Sequence, residues 1–174
     1  MNTYQHIDFE KLSLPQLLDH IEIKHHNYTK QLLLLIANHL DDLLINNQTC
    51  QDVIQPLYHA FEKLRLYLDS HFHKEENILF PFLRKFIPID NLDKNLLLKI
   101  NLSENPIKLM QKEHQQISHL LEHIRNITDN FTPIPSCSQE LKLCYAELNE
   151  LEYELQLHTY MENNVLFPMV RKIQ

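Results

Sequence analysis

Apolar residues recur every three to four positions along nearly the whole chain, the spacing of amphipathic helices. Four stretches carry it. The first runs from about Ser13, a capping residue just before Pro15, to about Leu44. A polar connection at 46–50 follows, then a second helix from about Asp52 to Phe86. Pro88 and the polar segment 90–95 open a longer crossover, with a helical turn expected around Leu96 to Ile100. The third helix is predicted to begin near Ser103 to Pro106 and to end near Asn130. Thr-Pro-Ile-Pro-Ser at 132–136 interrupts the pattern, and Ser136 or Ser138 caps a fourth helix reaching about Lys172. Short connections between helices one and two, and three and four, make antiparallel neighbours. The fold expected is all-α: an antiparallel up-down-up-down four-helix bundle in one domain, residues 1–174.

Two halves of this pattern repeat, about 13–86 and 103–173. His71, Glu75, Asn77, Leu79, Phe80, Pro81, Arg84 and Lys85 recur 87 positions later as His158, Glu162, Asn164, Leu166, Phe167, Pro168, Arg171 and Lys172. Upstream, His26 matches His114 at a displacement of 88, and Leu32, Leu33 and Ile36 match Leu120, Leu121 and Ile124. Each half supplies a lone histidine from its first helix and a His-x-x-x-Glu from its second. Residues four apart share one helix face, so each motif aims an imidazole and a carboxylate at one volume. A single copy would be an ordinary surface pair. Two copies in register, with two matched lone histidines, point to the bundle axis.

Two carboxylates in an apolar interior are very costly unless cations compensate them. His26, His71, Glu75, His114, His158 and Glu162 are therefore candidate metal ligands. If both glutamates bridge, each of two metals receives two nitrogens and two oxygens. A bridging oxide or hydroxide then leaves one octahedral position for a small diatomic. Mixed nitrogen and oxygen ligation of this number favours iron over four-coordinate zinc, while the spacing leaves manganese open. Glu113, directly before His114, is the favoured candidate to hold a metal-bound histidine or relay a proton. Glu22 and Tyr67 are weaker candidates for the same role. His20, His25, His39, His59, His73, His119 and His123 fall off the inward face of a 3.6-residue wheel and are expected at the surface. The Leu-Phe-Pro triplets are expected to pack the bundle end, with the prolines kinking or ending the last turns.

Composition narrows the alternatives. Glycine is absent, which disfavours phosphate loops and Rossmann turns. A net charge of −7 without basic runs argues against nucleic acid. No stretch reads as a membrane span or signal peptide. Cys50, Cys137 and Cys144 form no CxxC pair and are expected to be structural or incidental, outside the repeat. Reduced thiols and a cytoplasmic location are expected.

Lys-Glu-Glu-Asn-Ile-Leu-Phe-Pro at 74–81, Glu113-His114 and Met-Glu-Asn-Asn-Val-Leu-Phe-Pro at 161–168 resemble the hemerythrin-like domain, most closely the repair-of-iron-centres di-iron proteins. Asp19-His20-Ile21 also resembles that family's first helix, and the likeness covers about residues 12–172. It implies a non-haem di-iron centre held by His26, His71, Glu75, His114, His158 and Glu162, with both glutamates bridging. It also implies recovery of iron–sulfur clusters after nitrosative or oxidative damage, by iron supply or by reduction of nitric oxide to nitrous oxide. Nitric oxide or oxygen would be the small ligand, and iron–sulfur proteins the partners. Typical members carry an N-terminal domain with adjacent cysteines, whereas here the bundle follows Met1 almost at once. An additional histidine near the end of the first helix is replaced by Asn46 and Asn47. Oxygen-carrying hemerythrins use five histidines, one Glu and one Asp, unlike the four-plus-two set here. A hemerythrin-like oxygen or redox sensor, or an iron carrier without turnover, is the alternative reading. A metal-free bundle used for association is a third.

Overall fold

The computed structural model describes residues 9–46, 50–85, 94–133, 135 and 137–172. After a short 3₁₀ turn at Phe9–Lys11, four long helices follow, and the described residues contain no strand. Helix α1 joins α-helical Leu14–His20, a π-helical turn Ile21–His26 and α-helical Asn27–Asn46. Helix α2 joins Gln51–Lys74, a π turn Glu75–Leu79 and Phe80–Arg84. Helix α3 is Lys94–Ile127, and α4 joins Gln139–Met161, a π turn Glu162–Leu166 and Phe167–Lys172. These form the predicted antiparallel four-helix bundle. Pairs α1–α2, α2–α3 and α1–α4 pack closely; α3 and α4 meet less closely.

The helix starts have local causes. Gln16 Oε1 accepts from the Ser13 backbone N–H at 2.9 Å, half of a capping box, with Pro15 in the first turn. Ser138 Oγ accepts from the Leu141 N–H at 3.2 Å, the kind of cap whose loss costs about 1 kcal/mol. Of the two serines proposed to cap α4, Ser138 does so; Ser136 lies outside the described residues, as does the crossover at 86–93. Helix α3 begins earlier than expected and passes straight through Pro106, absorbing the expected turn near Leu96. A proline removes one backbone bond, and here that loss does not stop the helix.

Pro81 and Pro168 also fail to end their helices. In an α-helix the proline ring would strike the carbonyl four residues back, at Asn77 or Asn164. The π turns absorb this. The Phe80 N–H bonds to Glu75 O and the Phe167 N–H to Glu162 O, one residue further back than an α-helix allows, and α-helix resumes at Phe80 and Phe167, directly before each proline.

Helices α2 and α4 each bury an apolar stripe that turns polar at the candidate ligands. Along α2 it reads Leu64, Leu68, His71, Glu75, Leu79; along α4, Leu151, Leu155, His158, Glu162, Leu166. The six ligand candidates form a polar layer between two apolar clusters. The larger, around Ile36, Phe61, Leu64 and Leu148, fills the bundle toward the α1–α2 and α3–α4 connections. The smaller, with Leu17, Leu79, Phe80, Leu166 and Phe167, closes the opposite end, where the Leu-Phe-Pro leucines and phenylalanines were expected. Arg84 ties that end of α2 to α1 through Asp19 and Glu22, each at 2.8 Å.

Two of the three cysteines do not lie outside the repeat. Cys50 and Cys137 are separated by 87 residues, the same displacement that relates His71 to His158.

Candidate metal centre

The π turn in α1 ends at His26, and those in α2 and α4 begin at Glu75 and Glu162. A π turn carries an extra residue, a device often found at functional sites. All six predicted side chains are 3% exposed or less and converge on one volume. His26, Glu75, His158 and Glu162 bring one ligand atom each within 4.8 Å of one another; His71, Glu75, His114 and Glu162 do the same. Each histidine pair draws one ring from each half of the repeat.

Both carboxylates are divided between the pairs. Glu75 Oε2 lies 3.4 Å from His26 Nε2 and 4.0 Å from His158 Nε2, while its Oε1 lies 3.3 Å from His71 Nε2 and 4.0 Å from His114 Nε2. Glu162 Oε1 lies 3.2 Å from His158 Nε2, and its Oε2 3.0 Å from His114 Nε2. Close as they are, these contacts are poorly aligned. Both oxygens of Glu75 and Glu162, and Nε2 of His71 and His114, are buried without a hydrogen bond. Leaving so many buried polar atoms unpaired would cost several kcal/mol in total. A cation in each cluster would satisfy them, so the donor set fits a metal site, and its imidazole and carboxylate chemistry suits iron.

The electrostatics agree. Burial, then the neighbouring Glu162 charge, pushes the Glu75 carboxyl well above its ordinary range. Burial also works to raise Glu162, but the His158 and His114 imidazoles outweigh it and hold that carboxyl well below the ordinary range. Burial lowers His26 to about 4 and also lowers His71, so both rings are neutral at neutral pH and can offer a lone pair.

Side chains behind the rings fix them. His71 Nδ1–H donates to Glu113 Oε2 at 3.0 Å, and Lys74 Nζ donates to the other Glu113 oxygen at 2.5 Å. Burial opposes ionisation of Glu113, but these two bonds outweigh it and hold its carboxyl below the usual range. Glu113 thus lies directly behind the His71 ring. Glu22 does not: it pairs with Arg84. Tyr67 is half-buried, and burial, then the Glu113 charge, raises its phenol. Two further acceptors escaped the sequence reading. His26 Nδ1–H donates to Glu76 Oε1 at 2.8 Å, and His114 Nδ1–H to Asn163 Oδ1 at 3.2 Å. The signal was present, since each directly follows a ligand glutamate and the two positions match in the repeat. Phe80 stacks on His26 and Phe167 on His114, with ring centroids 5.6 and 6.1 Å apart.

His25 was expected at the surface and is buried. Its Nδ1 meets Glu154 Oε1, and its Nε2 lies 3.3 Å from His20 Nε2. The wheel that placed it outside assumed 3.6 residues per turn, and the π turn at Ile21–His26 breaks that assumption. His39 is half-buried against Glu147 at 2.7 Å, and His20 is half-buried too. His59, His73, His119 and His123 are exposed, as predicted.

The two halves are covered differently. Over His26, Phe72 stacks at 4.4 Å, Lys30 reaches across that ring to Glu76, and both rings are buried. The repeat counterparts of Lys30, Phe72 and Glu76 are Ser118, Thr159 and Asn163. These smaller, neutral side chains line an open groove of about 430 Å³ between α3 and α4, and His114 forms part of its wall.

No described helix is long and apolar enough to cross a membrane. The chain matches the hemerythrin HHE cation binding domain over residues 17–170. It is 32% identical over 164 residues to the iron-sulfur cluster repair protein YtfE of Escherichia coli O1:K1, covering 92% of this chain and 68% of that one. The protein of that name from Escherichia fergusonii is similar to the same extent.

Proposed function

This chain belongs to the hemerythrin HHE cation-binding family, and from that premise we propose that it is a di-iron protein of the nitrosative and oxidative stress response that helps repair iron–sulfur clusters. Its site would act by supplying iron, by reducing nitric oxide to nitrous oxide, or by both. One observation carries the reading: Glu75 and Glu162 each offer one oxygen to each of two histidine pairs. Such a set accommodates two cations sharing two carboxylates. The likeness to proteins named for iron–sulfur cluster repair supports the same role.

His26 and His158 would hold one iron, His71 and His114 the other, with Glu75 and Glu162 bridging. Bound there, two ferrous ions supply together the two electrons needed to turn two nitric oxide molecules and two protons into nitrous oxide and water. The protein's own contributions follow from its geometry. Glu76 and Glu113 orient His26 and His71 and strengthen their basicity through the Nδ1–H bonds. Phe72, Phe80 and Phe167, all 1% exposed or less, exclude water from the ring faces. Glu113, bonded to His71 and Lys74, would relay a proton between the surface side and the site.

Metal analysis with a Mössbauer spectrum of freshly purified protein, followed by anaerobic mixing of the diferrous form with nitric oxide, tests this reading. Two irons per chain and nitrous oxide are expected. A stable nitrosyl without nitrous oxide would remove the reductase role, and a reversible oxygen adduct would favour a sensor or carrier. Absence of stoichiometric metal would overturn the reading entirely.

A further inference from the structure

Cys50 stands at the cap position of α2, where the first hairpin turns, and Cys137 directly precedes Ser138, the cap of α4, where the second turns. The repeat that pairs the metal-ligand motifs also pairs these two cysteines, and the bundle brings both hairpin turns to one end. Their Sγ atoms lie 3.9 Å apart at the edge of the larger core, with the residues 6% and 9% exposed. From this juxtaposition we propose that Cys50 and Cys137 form a redox-active dithiol whose oxidised state is a disulfide joining the two hairpins.

The geometry asks little of the fold. Reaching the roughly 2.05 Å of a disulfide needs an approach of about 2 Å from van der Waals contact. The oxidant belongs to the class of small-molecule disulfides, such as glutathione disulfide. One cysteine attacks a reagent sulfur as its thiolate; the reagent S–S bond breaks and one reduced thiol leaves. The second cysteine attacks the mixed disulfide, forming the protein S–S bond and releasing the second thiol. Two protein thiols lose two electrons and two protons, and the reagent gains both. Cys144 takes no part. It is fully buried, and burial, then the Glu147 charge, pushes its thiol up to about 12.

The cross-link would lie at the far end of the bundle from the six ligands, across the seam between the halves that must meet to build the metal site. The oxidised chain would keep its hairpins together when the site empties.

The test uses the full chain as purified, incubated in native buffer with excess glutathione disulfide, quenched in acid and read by intact mass and non-reducing peptide mapping. The expected product is lighter by about 2 Da, keeps the Cys144 thiol, and yields one peptide pair linking Cys50 to Cys137. Its Tm should rise by roughly 10 °C and return with reductant. Cys144→Ala should behave like the parent, while Cys50→Ala and Cys137→Ala should each stop with one glutathione attached. A persistent glutathione adduct on the parent chain, a cross-link through Cys144, a disulfide-linked dimer, or three unchanged thiols would overturn the proposal.

Discussion

Glu76 and Asn163 occupy matching positions in the two halves and each accepts from the Nδ1–H of a lone histidine, yet only Glu76 carries charge. The His26 bond, reinforced by Lys30, holds Glu76 down to about 2. His114 is held only by a neutral amide. Replacing Glu76→Gln should therefore weaken metal retention through His26, by about 10–100-fold. Competition with a chelator measures it. Unchanged retention would show that the Glu76 contact does not tune the site.

Glu75 illustrates a conflict between function and stability. Its carboxyl is raised in the metal-free fold, so its favourable contribution is complete below the ordinary pKa of 4.5 and is lost as pH rises through the folded value. Glu75→Gln cannot ionise. At pH 8 the metal-free variant should be more stable than the parent, by about 1–3 kcal/mol, while losing metal capacity. Urea unfolding of both metal-free proteins, with metal stoichiometry alongside, decides the matter.

The histidines act with the opposite sign. Burial lowers His26 to about 4 and also lowers His71, so the unfolded chain binds more protons than the metal-free native state below pH 6.5. Stability conferred above pH 6.5 should fall as the solution is acidified toward pH 4. His26→Gln should flatten that slope. Urea midpoints between these limits, measured without metal, provide the check, and an equal slope in the variant would refute it.

Access should be one-sided. Thr159 stands in the open α3–α4 groove where its counterpart Phe72 seals the other half. Thr159→Phe should slow chelator removal of metal by about an order of magnitude or more, since a gating effect of 1.4 kcal/mol is tenfold. Stopped-flow loss of the metal chromophore measures the rate. Equal rates would mean that small molecules enter elsewhere.

Much of this was legible in the residues. The apolar period gave four helices, because each buries one stripe against its neighbours, and the doubled His-x-x-x-Glu marked where the stripe turns polar. What stayed hidden depended on departures from the ideal helix. His25 was misplaced because nothing in Ile-Glu-Ile-Lys-His-His announces a π turn. Pro81 and Pro168 are expected from sequence to kink or end the last turns, because the widened turns that absorb them form only in three dimensions. Glu76 and Asn163 were overlooked although they directly follow Glu75 and Glu162. On a regular wheel they point about 100° away from the ligands, and only the neighbouring helix brings a ring nitrogen to them. Cys50 and Cys137 sit in the connections, where no helical period marks the register of the repeat.

The polar layer between two apolar clusters of unequal size has a consequence for how the molecule ages in use. The larger cluster behaves as a permanent floor, knitted mostly by leucines, with Phe72 at its upper edge stacked on His26. The smaller behaves as a ceiling, resting on the layer below it. An emptied molecule would loosen from the top while its base stayed whole, ready to be refilled rather than refolded.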